Sequence, residues 1–193
     1  MGDTARAVAL PGGRAVLAPP GDWPASSRTT AVGSAFRTQA GESSGGEPQP
    51  GRAGLGPVVP VRDLPASWAA ARTALRFTAE GTEADPGPRV VEFADLGGLA
   101  VLAEAVSPST QPVADVEAVE KARAAAPWVL QTLVAVAGAA SLRAAATALT
   151  LHHSTLQERL THAEHLLGWP VRTPPGRLRL QLALALWRLH RNP

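Results

Sequence analysis

Residues Ser141 to Gly168, SLRAAATALTLHHSTLQERLTHAEHLLG, constrain the fold more than any other stretch of the chain. Their spacing predicts a short helix, a tight turn and a longer second helix. Ser141 is a good N-cap, and apolar residues follow at Leu142, Ala145, Ala146 and Leu149. Leu151 falls in the turn, where an apolar side chain plugs the gap between two helices. The second helix is expected to open at Ser154 or Thr155. Each has a partner three residues on, Gln157 or Glu158, so a capping box is available either way. Leu156, Leu160, Ala163 and Leu167 form the stripe to be buried, and Gly168 supplies the C-terminal stop. His153, Ser154, Gln157, Glu158, Thr161, His162 and His165 remain on the outer face. This is the layout of a helix-turn-helix module, whose second helix reads DNA.

The segment also resembles the C-terminal helix-turn-helix of PucR/CdaR-type transcriptional regulators. Ala146, Leu149, Leu151, His152, Thr155, Leu156, Arg159, Leu160, Leu166, Leu167 and Gly168 stand at matching places. The tail agrees as well, with a Pro-bearing connector from Arg172 to Gly176 and then RLRLQLALALWRLHR as a final apolar helix. The likeness runs from Trp128 to about Arg191. The family's Asn is Ser154 here, and its Tyr is Glu158, which sets a negative charge on a helix expected to face phosphates.

A looser resemblance covers GLGPVVPVRDLPASWAAARTALRF and RVVEFADLGGLAVL. Gly54, Gly56, Asp63-Leu64, Ala71-Arg72, Ala74-Leu75 and the run from Val90 to Gly97 are similar to the end of the degenerate GGDEF-like domain that precedes the PucR-type helix-turn-helix. The resemblance implies a shortened remnant of that domain, in a family whose members are generally longer.

Charge distribution points the same way. The formal net charge is only +2, but from Pro127 onward seven arginines (143, 159, 172, 177, 179, 188 and 191) face only Glu158 and Glu164, a local net of +5. All five histidines lie in the C-terminal part too. Such a concentration suits a polyanionic partner, although surface arginines are common on any helical domain.

Upstream, RAVAL-PGG-RAVLAPP reads as a β-hairpin within residues 1–22. Residues 26–53 are rich in Ser, Thr, Gly, Pro and Arg and read as a disordered insert. A short edge strand is expected at Leu55 to Val61, a helix from Asp63-Leu64-Pro65 to about Thr78, and a strand at Arg89 to Phe93. Trp68 and Leu75 share one side of that helix. Ser107 to Pro112 reads as a linker and Asp115 to Ala126 as a helix, with Pro127 in the first turn of the next. The expected fold is therefore a mainly α C-terminal helix-turn-helix domain of four to five helices over 127–193. A linker and connecting helix precede it over 107–126, and a small, partly irregular α+β remnant over 1–106.

Other chemistry finds little footing. There are no cysteines, which removes disulfides, thiol catalysis and Cys-based zinc sites. The N-terminus lacks the pattern of a signal peptide, and the longest apolar stretch, Trp128 to Leu142, is too short and interrupted to span a bilayer. A cytoplasmic location is the default expectation. Glu158, His162 and His165 share a helical face, but without a fourth ligand the solvated-face reading prevails over a metal. No G-x-S-x-G elbow or G-K-[ST] loop occurs, and Gly54-x-Gly56 is a lone fragment of a dinucleotide fingerprint. No catalytic residue, cofactor or metal is expected; the chain reads as a non-enzyme.

The expected partner is double-stranded DNA. His153, Ser154, Gln157 and Thr161 are the candidates for base edges, with Gln157 suited to a bidentate contact with adenine. Arg143 and Arg159 are candidates for phosphates, Arg159 having a salt bridge as its alternative. His152 and Thr155 serve either DNA contact or helix start and packing, and His162 completes the polar face. In the final helix Leu178, Leu182, Ala185 and Leu189 form one stripe, widened by Leu180, Leu184 and Trp187. One face is expected to pack on the helix-turn-helix and another to form a homodimer, unless all of it is buried in a larger core. The competing function is a protein-interaction module whose helix-turn-helix no longer reads DNA.

Overall fold

The computed structural model describes residues 4–12, 14–18 (backbone only) and 51–193. Most of the expected insert over 26–53 lies outside these residues. The chain divides into two compact units. One holds the described residues of Met1–Glu80 with Pro88–Ala105 and Asn192; the other holds Gly81–Gly87, Val106–Arg191 and Pro193.

The first unit is a small mixed sheet with a helix on one face. β1 (Thr4–Leu10) and β2 (Arg14–Ala18) form the expected antiparallel hairpin, with Val8 opposite Val16. β3 (Ala53–Leu55) pairs antiparallel with β1 and parallel with β5 (Val90–Glu92). β4 (Val59–Pro60) pairs with the start of β1. Thus the strand expected over 55–61 is two short ones, because the chain leaves β1 at Gly56 and returns at Val59. α1 (Leu64–Leu75) lies across β1 and β3. Trp68, Ala71 and Leu75 pack on Ala7 and Ala9, while Val8, Leu10, Ala53 and Leu55 form a second apolar cluster. The Gly54-x-Gly56 pair belongs to this contact. A Cβ at Gly54 would sit 2.1 Å from the Ala71 carbonyl oxygen, and one at Gly56 2.1 Å from that of Ser67. These glycines let helix and strand meet backbone to backbone, a packing reason for a fragment that resembles a nucleotide loop. Short turns follow in α2 (Phe93–Leu96) and α3 (Leu102–Ala105).

The second unit is helical: α4 (Ala114–Ala125), α5 (Pro127–Gly138), α6 (Leu142–Ala148), α7 (His153–Leu167) and α8 (Pro174–Arg191). Pro127 occupies the first helical position of α5, where its missing N–H costs nothing. One core joins all five: Val116, Val119, Leu130, Leu133, Ala145, Ala146, Leu156, Leu160, Leu180 and Trp187 among others. At about 2–5 kcal/mol per Leu-to-Ala truncation, these leucines hold the domain together. α8 also closes the end of α5, as Gln181 Nε2 and Arg177 Nη1 donate to the carbonyls of Ala137 (2.8 Å) and Ala139 (3.2 Å).

α8 carries apolar residues on more than one face. Leu180, Ala183 and Trp187 face the helical core, whereas Leu178 and Leu182, on the opposite side of the helix, are 57% and 38% exposed. Leucines at nearly every second position give this helix no single apolar side. Trp187 selects the inner face, since its indole N–H donates to Glu120 Oε2 on α4 at 2.7 Å. Arg188 is buried in an ion pair with Asp85 and also donates to the Pro86 carbonyl, which fastens the 81–87 segment to α8. Among the described residues, no helix is long and apolar enough to cross a membrane.

Candidate nucleic-acid interface

α6 opens on Ser141, whose Oγ accepts the Ala144 N–H at 3.1 Å. Ala145 and Ala146 are buried, and Leu142 and Leu149 pack at the edge of the core. The turn is made by Thr150, whose φ of 53° is left-handed. Leu151 then returns its N–H to the Ala146 carbonyl at 2.9 Å.

α7 starts two to three residues before the expected place. Its N-cap is His152, whose Nδ1 accepts the Ser154 N–H at 3.4 Å and lies 2.7 Å from Ser154 Oγ. Ser154 and Thr155 are consequently inside the first turn, and the anticipated capping boxes with Gln157 and Glu158 do not form. His152 holds the extended backbone of an N-cap (φ −67°, ψ 147°), and its ring nitrogen fills the acceptor role expected of a Ser or Thr oxygen. Leu156, Leu160, Ala163 and Leu167 are buried as a continuous stripe, and Gly168 ends the helix with φ 83°.

Opposite that stripe the helix is polar. His152, His153, Ser154, Glu158, Thr161, His162 and His165 are exposed, with Thr155 and Gln157 half-buried at the margins. His153 Nε2 lies 3.2 Å from Gln157 Nε2, and Thr161 Oγ1 donates to the Gln157 carbonyl at 3.1 Å. Arg143 is exposed near the start of α6, with no side-chain partner among the described residues. Arg159 is not in the salt bridge that was its alternative role. Its guanidinium lies over the Trp128 ring of α5, 5.2 Å from the centroid, and His162 stacks obliquely on the same ring at 5.5 Å. Glu158, His162 and His165 are not gathered into a metal-holding group.

Residues 129–186 match the PucR C-terminal helix-turn-helix domain. The match begins in α5 and ends in α8, so it spans the whole α6–turn–α7 arrangement. No curated protein and no solved structure matches the chain. α4 precedes the matched segment, yet Val116, Val119 and Ala122 lie in the same core. This helix-turn-helix domain therefore folds here with one further helix.

The arginines of the segment are unevenly available. Arg179 is bound bidentate to Asp115 at 2.8 Å and lies over Trp169, 4.2 Å from the ring centroid, while Arg188 is buried on Asp85. Arg191 lies over Trp187. The local excess of positive charge is thus partly spent on structure. Arg159 lies on α7 itself, and Arg172, counted among the basic residues from sequence but not placed at the interface, lies against that helix. Arg172 Nη2 donates to Thr161 Oγ1 at 2.7 Å and to the Gln157 carbonyl at 3.0 Å. That contact joins residues 11 and 15 apart across a turn, a distance at which no helical periodicity could reveal it.

Proposed function

We propose that the chain is a sequence-specific, DNA-binding transcriptional regulator of PucR type that lays α7 in the major groove. One observation carries the reading: the segment that matches the PucR helix-turn-helix domain turns an uninterrupted polar face outward from a helix anchored by four buried residues. His152, His153, Ser154, Thr155, Gln157, Thr161 and His162 are assigned to base edges and the nearby backbone, with Arg143 and Arg159 on phosphates. The protein acts by occupying a promoter element and is not an enzyme. It works in the cytoplasm as a homodimer through α8, a reading supported by the exposed Leu178 and Leu182. The sheet and helix of the first unit are read as the GGDEF-like remnant, on the strength of the sequence resemblance.

A second reading, an interaction module without DNA binding, draws on Glu158, which is exposed on the outer face of α7. Titration of labelled duplex at several salt concentrations separates the two. The regulator binds with a log–log salt slope of about −0.9 per neutralised phosphate. Absence of binding by folded protein at low salt would overturn it in favour of the interaction module.

A further inference from the structure

We infer that Arg172 is a phosphate-gripping residue that carries the interface from α7 onto the turn that follows it. The inference rests on the DNA-reading proposal and extends it to a residue outside the helix-turn-helix proper.

The geometry of α7 supplies the reason. At about 100° per residue, Ser154, Glu158, Thr161 and His165 lie opposite the buried stripe. Arg159 and His162 fall toward one flank, beside Trp128. Gln157 falls toward the other. A helix seated in a major groove about 12 Å wide directs its outer ridge at the bases and its flanks at the two sugar-phosphate walls. Arg172 occupies the flank that has no cation of its own in α7.

It is held there by its backbone. Gly168 turns the chain in the left-handed region, and Trp169 and Val171 are buried in the core. Glu164 Oε1 accepts the N–H of Val171 at 2.8 Å and that of Arg172 at 3.3 Å, tying the turn to α7. Gly176 seals its far side: a Cβ there would meet the Pro170 carbonyl oxygen at 1.7 Å. Only Nη2 and Nε of the guanidinium are engaged, Nε lying 3.5 Å from Glu164 Oε2. Nη1 has no partner among the described residues, and the side chain is 35% exposed. With Nη2 and Nε held, the two Nη1 hydrogens remain to donate to phosphate oxygens through that one nitrogen, from a guanidinium already fixed in place.

The test uses the full chain, a fluorescein-labelled random-sequence duplex, and salt titrations of the unmodified protein, Arg172→Gln and Arg172→Lys. One lost phosphate contact lowers the salt slope by about 0.9, which at 0.1 M salt is roughly eightfold in affinity. That is the result expected of Arg172→Gln, whereas Arg172→Lys retains the slope. A brace with only a structural role would lower the melting temperature of Arg172→Gln and leave the slope unchanged, which would overturn the inference while the reading helix stands. No binding by the unmodified chain overturns both. Should Arg172→Gln fail to fold, phenylglyoxal labelling of the unmodified protein decides the matter. Protection of Arg172 by the duplex supports the contact, and equal labelling with and without duplex contradicts it.

Discussion

Arg159 of α7 and Trp128 of α5 face each other, with the guanidinium carbon 5.2 Å from the ring centroid. The ring fixes a long cation on the margin of α7, and under the proposed DNA-binding function this lowers the rotamer freedom left to lose on meeting a phosphate. Trp128→Leu keeps apolar contact with the core but removes this platform. A cation–π contact at a partly exposed site is worth about 0.5–1 kcal/mol, so DNA affinity should fall about two- to fivefold. Fluorescence anisotropy measures it; affinity unchanged in a folded Trp128→Leu protein would deny the platform a role.

Thr150 holds a left-handed conformation that β-branched residues rarely adopt. Asparagine tolerates this region. Thr150→Asn is therefore expected to raise unfolding free energy by up to about 1 kcal/mol, read by urea denaturation. A loss of stability would mean that the Thr150 hydroxyl, which donates to the Leu149 carbonyl at 2.7 Å, outweighs the backbone cost.

Two carboxylates of α4 tie stability to acid pH. The Arg123 guanidinium, helped by the Trp187 indole N–H, holds Glu120 below the usual carboxylate range against the opposing effect of burial. Hydrogen bonding from Arg179 does the same for Asp115. A carboxylate depressed in the folded state stabilises the fold above its unfolded pKa of about 4 and loses that contribution as pH falls through the folded value. Glu120→Gln and Asp115→Asn should thus be less stable at pH 7, and their melting temperatures should decline less steeply below pH of about 4. Parallel declines in variant and unmodified protein would contradict the assignment.

Leu178 and Leu182 line a shallow apolar groove of about 350 Å³ with Val113, Pro175 and Leu186. If α8 pairs two copies, Leu178→Glu combined with Leu182→Glu should give a folded monomer in sedimentation velocity. The unmodified chain should sediment as a dimer. A monomeric unmodified chain would remove α8 as a dimer interface.

Much of the second unit was legible because its signals are local. Leu156, Leu160, Ala163 and Leu167 repeat at helical spacing and are buried as that spacing demands, and Ser141 caps α6 through its own hydroxyl. The hairpin of β1 and β2 followed from two apolar runs about Pro11-Gly12-Gly13. The start of α7 was misread because Ser154 and Thr155 imitate caps, while His152 is an uncommon one. The inner face of α8 was hidden by a surplus of leucines, and only the distant Glu120 decides it through Trp187. In the candidate site, the outer face of α7 was readable from periodicity. The placements of Arg159 on Trp128 and Arg172 on Thr161 depend on contacts between elements, which no spacing encodes.

Selection of random DNA duplexes by the purified full-length protein at moderate salt, with sequencing of the recovered pool, shows whether α7 reads a sequence. A dimeric DNA reader enriches a defined sequence, arranged as an inverted repeat whose half-sites lie about 34–36 Å apart or a multiple of that. Recovery of folded protein with no enriched sequence would contradict that reading and leave α7 without a DNA-reading role.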